Sequence, residues 1–318
     1  MRGEFDFIKN LRERYELSAV GDDCAVVPQS SDLDLVVTTD LLVEDVDFRL
    51  NWTSPELLGH KALAVSLSDV AAMGGKPRWS LTSIGVPETL WNSDFIDRFY
   101  KGWHALAEGF GVVLIGGDVS RSPDKFVVDS VVGGQVPKGK SILRSGARPG
   151  DAILVTGGLG GAAGGLQLLE NGIQYANASD WQQRLIERQL VPLPRVAEGG
   201  MLLEKGIVNS MIDLSDGLSS DLHHICEASG VGAEIEAAAI PIDEDLKQFT
   251  SSGEEQLDFA LHGGEDFELL FTVPEEKISE LDPRLYTRIG IVTANVGMVG
   301  LTRGSERVIL GSAGFQHF

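Results

Sequence analysis

The chain has almost no cysteine: Cys24 and Cys226 are the two thiols in 318 residues. That excludes a disulfide framework, and their separation excludes the close spacing of a paired metal ligand. Each reads as a small core residue rather than a nucleophile. Basic charge is also scarce, with 26 Lys and Arg against 47 Asp and Glu and a net charge of −21. A basic footprint for nucleic acid is therefore missing, and an anionic membrane surface repels the chain. No apolar run reaches the ~18 residues of a membrane span, and Met1-Arg2-Gly3-Glu4-Phe5-Asp6 has no apolar signal core. A cytoplasmic enzyme with neither nucleic acid nor membrane as partner is expected. Internal repeats and low-complexity segments are absent as well.

What is present is an apolar fraction of 43% and 38 glycines, enough for two domains with cores of their own. The organising stretch is Leu33-Asp34-Leu35-Val36-Val37-Thr38-Thr39-Asp40, a β-strand by alternation that ends in two hydroxyls and a carboxylate. Three other stretches set an aspartate among small and apolar residues: Gly21-Asp22-Asp23, Gly116-Gly117-Asp118 and Asp213-Leu214-Ser215-Asp216-Gly217. Carboxylates gathered at strand ends repel one another unless cations neutralise them. Oxygen donors of this kind suit Mg²⁺, which keeps waters and is shared with substrate phosphates. The residues alone thus point to a Mg²⁺–nucleotide site.

Along the chain, residues 5–17 predict a short amphipathic helix, and Ser54-Pro55-Glu56 opens a longer one that ends near Met73 at Gly74-Gly75. Ala62, Val65, Asp69 and Ala72 share one stripe of that helix, so Asp69 faces inward, where a carboxylate must be paired or metal-bound. A strand at 79–86 and a helix at 94–110 follow. Val112 to Ile115 is expected to be a strand ending at Gly116-Gly117-Asp118. Gly133 to Gly150 marks the domain boundary, giving domains 1–138 and 139–318. Beyond it, a strand–glycine-loop–helix unit starts at Ala152. Helices are predicted at about 181–190 and 195–205, and from Ser215 to Ser229, with strands at 207–213, 231–240 and 267–273.

Two glycine patterns read as decoys. Gly134 to Ser141 matches the P-loop spacing, but Gly146, Pro149 and Gly150 leave no room for the helix that must begin at the Ser. Gly158 to Ala163 resembles a dinucleotide fingerprint, but the segment that should supply its partner acid reads as a loop. Close packing of a helix on the sheet is the reading of those glycines.

Taken together, Gly21-Asp22-Asp23-Cys24-Ala25, Thr38-Thr39-Asp40-Leu41-Leu42-Val43-Glu44, Lys61 to Asp69, Gly116-Gly117-Asp118, Arg144-Ser145-Gly146-Ala147, Ile212 to Leu218, Gly263 to Leu269 and the closing Gly314 to Phe318 resemble the thiamine-monophosphate kinase family. That family is itself similar to aminoimidazole-ribonucleotide and selenophosphate synthetases. The resemblance implies an α/β chain with mixed sheets and a two-domain synthetase-like fold, its N-terminal domain forming a homodimer beside which ATP binds. It implies direct transfer of the ATP γ-phosphoryl group to thiamine monophosphate, the last step towards thiamine diphosphate, with no phospho-enzyme and so no catalytic nucleophile. Ser215 accordingly has no His base in its motif.

By motif position, Asp23, Thr38, Thr39, Asp40, Asp69, Asp118 and Asp213 would hold several Mg²⁺ ions, with Asp216 on a further one. Tyr100, Gly117, Asp118, Arg144 and Ser215 would contact ATP, and Asp47, Glu265 and Ser312 the acceptor. Blander readings stand beside these: Tyr100 as an exposed helix aromatic, Arg144 as a surface cation, Ser215 as a helix N-cap, and Glu265 as a turn acid. The chain departs from the pattern at Asp47, where the family usually has a His, and at Ser312, where an aromatic is common and Phe315 is the nearest one here. A selenophosphate-type chemistry would need a reactive Cys, and the aspartates before Cys24 raise its pKa. A Ca²⁺-binding protein would need a D-x-D-x-D-G loop, which is absent.

Overall fold

The computed structural model describes residues 4–17 and 19–314. In chain order the elements are α1 (Glu4–Tyr15), β1 (Ala25–Pro28), β2 (Leu33–Val43), α2 (Pro55–Ala72), β3 (Lys76–Val86), α3 (Glu88–Trp91), α4 (Phe95–Phe110), β4 (Val113–Arg121) and β5 (Val127–Pro137). These are followed by β6 (Asp151–Thr156), α5 (Gly161–Glu170), α6 (Asp180–Leu190), α7 (Val196–Lys205), β7 (Ser210–Asp213), α8 (Leu218–Ser229), β8 (Gly232–Glu236), α9 (Leu246–Phe249), α10 (Gly253–His262), β9 (Leu269–Pro274), β10 (Tyr286–Thr293), β11 (Val299–Arg303) and β12 (Glu306–Ile309).

The strands form two mixed sheets, which is the α/β class expected. The first has the order β1-β2-β5-β3-β4 and the second β12-β11-β8-β10-β6-β9-β7. In the first sheet, β2, β5 and β3 pair antiparallel, while β4 lies parallel to β3 at the edge. Burial alternates along β2 and β3, so one face lies under helices and the other is half-exposed.

Helix α2 joins the two halves. Ser54 caps its start by accepting from the Leu57 N–H, and Pro55 occupies its first turn. It is buried nearly all round, which requires neighbours on every side. Leu63, Leu67 and Val70 pack with Val36, Trp103 and Val132 of the first half. Ala71 and Ala72 pack with Ala152, Met211 and Phe271 of the second. On α4, Phe99 and Trp103 are fully buried, as their spacing predicts, and Gly111 ends the helix in the left-handed conformation.

Three local readings need correction. Strand β4 does not stop at Gly116-Gly117-Asp118 but runs through to Arg121. Glycine permits this, because a Cβ on Gly117 would lie 1.9 Å from the Thr82 carbonyl oxygen, and its φ is +153°. Helix α8 starts at Leu218, so Gly217 with φ +110° is its N-cap and Ser215 is not. Ser215 instead gives its carbonyl to the Glu265 N–H at 2.8 Å. The glycines of the 158–163 segment do not serve a sheet contact: a Cβ on Gly160, whose φ is +84°, would lie 2.8 Å from the Ala260 nitrogen of α10, and one on Gly161 2.7 Å from the Asp243 carboxylate. Helix α10 fills residues to which no element was assigned. The closing residues 315–318, Phe315 among them, lie outside the described residues. Among the described residues, no helix is long and apolar enough to cross a membrane.

Candidate active site

The acidic stretches around Asp23, Asp40 and Asp213 converge where α2 crosses from one half to the other, and the Gly116-Gly117-Asp118 stretch stays apart. Asp23, Asp69 and Asp213 each offer a carboxylate oxygen within 4.8 Å of the others. They come from the turn before β1, from α2 and from the end of β7. Short-range donors hold the group in place. Thr38 in the middle of β2 donates to Asp69, Ser66 to Asp40 at 2.6 Å and Ser68 to Asp213 at 2.6 Å. Ser66, Ser68 and Asp69 fall within one turn of α2 with Ser66 and Ser68 about 200° apart around its axis, so a single turn reaches Asp40 on one side and Asp213 on another.

Arg144 is the cation at this cluster. Its Nε donates to Asp23 Oδ1 at 3.0 Å, and its backbone N–H lies 3.2 Å from both Asp22 carboxylate oxygens. Four carboxyls (Asp23, Asp40, Asp69, Asp213) against one guanidinium leave three negative charges uncompensated. Their proton affinities rise accordingly. Burial, with the charge of Asp23, pushes Asp213 up to about 8. Burial takes Asp40 to about 6 against the lowering effect of the Ser66 hydroxyl. Burial and then the charges of Asp40, Asp213 and Asp23 carry Asp69 well above the carboxylate range. The bare cluster therefore holds protons near neutral pH, in places where oxygen-binding cations would hold it ionised.

The other expected residues are placed unequally. Thr39 points its hydroxyl to Asp129 on β5 at 2.6 Å, apart from the Asp69 group. Asp118 is exposed on β4. Asp40 pairs with Ser130, Ser130 with Thr82, and Thr82 with Gly117, so Asp118 sits about three strand spacings, ~14 Å, from Asp40 in the same chain. Tyr100 stacks edge-on against Phe99 within α4, with its ring centroid 5.3 Å away. Asp47 accepts from the Val43 N–H at 2.7 Å and closes the turn after β2. Ser312 lies 3.3 Å from the Ser220 hydroxyl at the start of α8. Glu265 is bound by Lys61 of α2 at 2.8 Å. Asp216 joins a second donor set with Asp221 and His224, again with ligand atoms within 4.8 Å.

Asp22, Asp129, Ser66, Ser68, Asp221 and His224 were missed by reading the sequence. The signals for Ser66 and Ser68 were their closeness to Asp69 on one helix, and for Asp129 a lone carboxylate in a valine-rich strand. Both decoys are resolved. Gly134 to Pro137 finish β5 and no helix begins at Ser141. The start of α5 is occupied by Asp266, which accepts from the Gly160 N–H at 2.7 Å and the Ala162 N–H at 3.2 Å.

Comparison with known proteins identifies the family. Residues 21–136 match the AIR synthase related protein N-terminal domain, and residues 148–300 match its C-terminal domain. The chain is 41% identical over 322 residues to a thiamine-monophosphate kinase of Escherichia coli K12, covering 99% of this chain and 95% of the relative. It is 38% identical over 329 residues to the Bacillus subtilis enzyme of the same name, covering 99% of each. The fold superposes with a TM-score of 0.88 on a structure of AaThiL complexed with AMPPCP and TMP, at 34% identity and covering 99% and 97% of the two chains. A thiamine monophosphate kinase from Stenotrophomonas maltophilia matches with a TM-score of 0.79 at 36% identity, covering 94% and 96%. With both domain profiles matched and these identities sustained over almost the whole length, the chain belongs to the thiamine-monophosphate kinase family of AIR synthase-related proteins.

Proposed function

We propose that this chain transfers the γ-phosphoryl group of ATP to the phosphate of thiamine monophosphate, giving ADP and thiamine diphosphate. The observation that carries the reading is the set of carboxylates at Asp23, Asp69 and Asp213, two buried and one half-buried, drawn from three distant stretches with the Arg144 guanidinium beside them. The complex of AaThiL with AMPPCP and TMP supports it, AMPPCP being an ATP analogue with a methylene in place of the β–γ bridging oxygen.

The donor set fits Mg²⁺: every ligand is a hard oxygen, and the raised proton affinities mark negative charge that wants cations. Asp23, Thr38, Thr39, Asp40, Asp69, Asp118 and Asp213 are the residues proposed to hold the ions, and Asp216, with Asp221 and His224 nearby, a further one. Bound Mg²⁺ would neutralise the phosphate oxygens and so offset the repulsion between two anionic substrates and an acidic protein. The protein's own part is positioning. Ser66, Ser68 and Thr38 fix the carboxylates by hydrogen bonds, Arg144 places a cation beside Asp23, and Ser215, in the turn after β7, is proposed to contact ATP. Ser66 and Ser68 donate their hydroxyls to Asp40 and Asp213, carboxylates proposed to hold ions, so direct transfer without a phospho-enzyme is the reading.

Residues 1–138 in this reading form the ATP-binding and dimerising half, and 139–318 the second α/β half. The homodimer is supported by the half-exposed face of the first sheet and by its edge. Leu41, Val113, Ile115 and Val119 are all more than half exposed there, which is unusual for a finished surface. A second copy covering this face would bring its own Asp118 to the first copy's nucleotide, over a gap that one chain does not span.

The deciding experiment is phosphorus NMR of the protein with ATP, Mg²⁺ and thiamine monophosphate. The expected result is a β-phosphoryl signal of thiamine diphosphate with matching ADP, lost on adding EDTA. ATP left intact, or consumed regardless of the acceptor, would sink the proposal.

Ion binding must also depend on pH with a definite sign. The raised groups hold protons below about 6 and release them by about 8, so Mg²⁺ competes with protons at the low end. The rise in melting temperature on adding Mg²⁺ should be larger at pH 8 than at pH 6. An equal rise at both, measured by differential scanning fluorimetry, would separate the ions from these carboxyls.

A further inference from the structure

Lys61 is a buried cation, 2% exposed, inside a helix of small apolar residues. Burying an ammonium is costly unless it is paired, and its partner comes from the other half of the chain. Its Nζ lies 2.8 Å from Glu265 Oε1 and 2.9 Å from Oε2. Gln189 of α6 donates its side-chain amide to the same carboxylate. The backbone of Glu265 is also held, because its N–H bonds the Ser215 carbonyl and its φ is +64°, a conformation a non-glycine residue adopts only under constraint. Gly264 allows that approach, since a Cβ there would lie 2.5 Å from the Ser215 carbonyl oxygen.

The order of burial matters. The Glu265 side chain keeps 29% of its exposure while Lys61 keeps 2%. The carboxylate is the surface, and the ammonium and amide stand behind it. Along α2, Lys61 precedes Asp69 by eight residues, about 12 Å of helix axis. One rigid helix thus carries an ion-binding carboxylate at one point and the support of Glu265 two turns away, a separation that suits a phosphate ester bearing two linked rings.

We infer that Lys61, with Gln189, is a positioning residue for the acceptor: it fixes the half-exposed Glu265 carboxylate to receive the cationic, amine-bearing ring part of thiamine monophosphate. The inference rests on the proposed function. It also accounts for the pair's crossing between the two halves, because the acceptor site then exists only when α2 and the 263–268 loop are docked together.

The test is steady-state kinetics of Lys61→Met, Lys61→Arg, Gln189→Leu and Glu265→Gln. Lys61→Met should raise the KM for thiamine monophosphate about tenfold or more, with the KM for ATP within about twofold of wild type. Lys61→Arg should recover part of the loss. Lys61→Met combined with Glu265→Gln should be no worse than Glu265→Gln alone, since Lys61 acts through that carboxylate. If Lys61→Met does not fold, Gln189→Leu reports on the same carboxylate and should raise the acceptor KM selectively. A wild type that turns over thiamine monophosphate, alongside variants whose two KM values stay put or move together, overturns the positioning role alone. A wild type that does not turn it over overturns the proposed function, and the inference with it.

Discussion

Asp69→Asn should abolish turnover while leaving the fold intact, with kcat falling about 10³-fold or more, equivalent to about 4 kcal/mol of transition-state stabilisation. Asp69 is the point where the electrostatic strain converges. It accepts from Thr38, lies within reach of Asp23 and Asp213, and is driven well above the carboxylate range by burial and then by its three acidic neighbours. Asn keeps the volume and still accepts the Thr38 hydroxyl, but it removes the charge that would hold a divalent ion. Because Asn needs no proton to sit among the neighbouring carboxyls, whereas Asp69 must take one up when no ion is bound, the ion-free variant should melt no lower than wild type. Near-wild-type kcat with unchanged Mg²⁺ dependence would refute the carboxylate cluster as the ion site.

The same variant tests the homodimer. Asp118 lies three strand spacings from Asp40 in its own chain, so the proposed dimer supplies it from the second copy. Asp69→Asn and Asp118→Ala should each be inactive alone. Unfolding and refolding the two together should restore roughly a quarter of wild-type activity, because half the dimers are mixed and each mixed dimer has one complete site of two. No restoration would place both residues in one chain's site or deny the dimer.

Gly102→Val should cost about 3 kcal/mol or more and lower the melting temperature on the order of 10 °C. Helices α2 and α4 meet backbone to backbone. A Cβ on Gly102 would lie 1.8 Å from the Glu56 carbonyl oxygen, and one on Gly59 would lie 2.0 Å from that of Phe99. These are main-chain atoms of two helices, so no side chain can swing aside. The helices must separate, and α2 carries the register of Ser66, Ser68 and Asp69 with it. Activity at permissive temperature should therefore fall too. Calorimetry that finds an unchanged melting temperature would show that the helices accommodate the side chain and that their close approach is not required.

Much of this arrangement was legible along the chain because it is local. The α2 boundary follows from Ser54 and Pro55, its inward carboxylate from the spacing of Ala62, Val65, Asp69 and Ala72, and the α4 core stripe from Phe99 and Trp103. Both decoys could be set aside from their continuations. Where the reading failed, a distant partner decided. The Gly116-Gly117 pair looked like a strand end, but pairing with β3 carries β4 on to Arg121. Ser215 looked like a helix cap, but its carbonyl is taken by Glu265, fifty residues away in the chain. Asp221, inside the first turn of α8, carries no local mark that separates it from other acids on an acidic protein.

The sequence by itself determined the chemistry of the donors, the family and most of the elements, because residue type and 2.0- or 3.6-residue periodicity are properties of short stretches. The tertiary structure decided which donors meet. It set Asp23, Asp69 and Asp213 together, left Asp118 on a far edge, and put Lys61 behind Glu265 across the two halves of the chain. Side-chain convergence depends on strand order and helix docking, which emerge from the burial of whole faces and are written in no single segment.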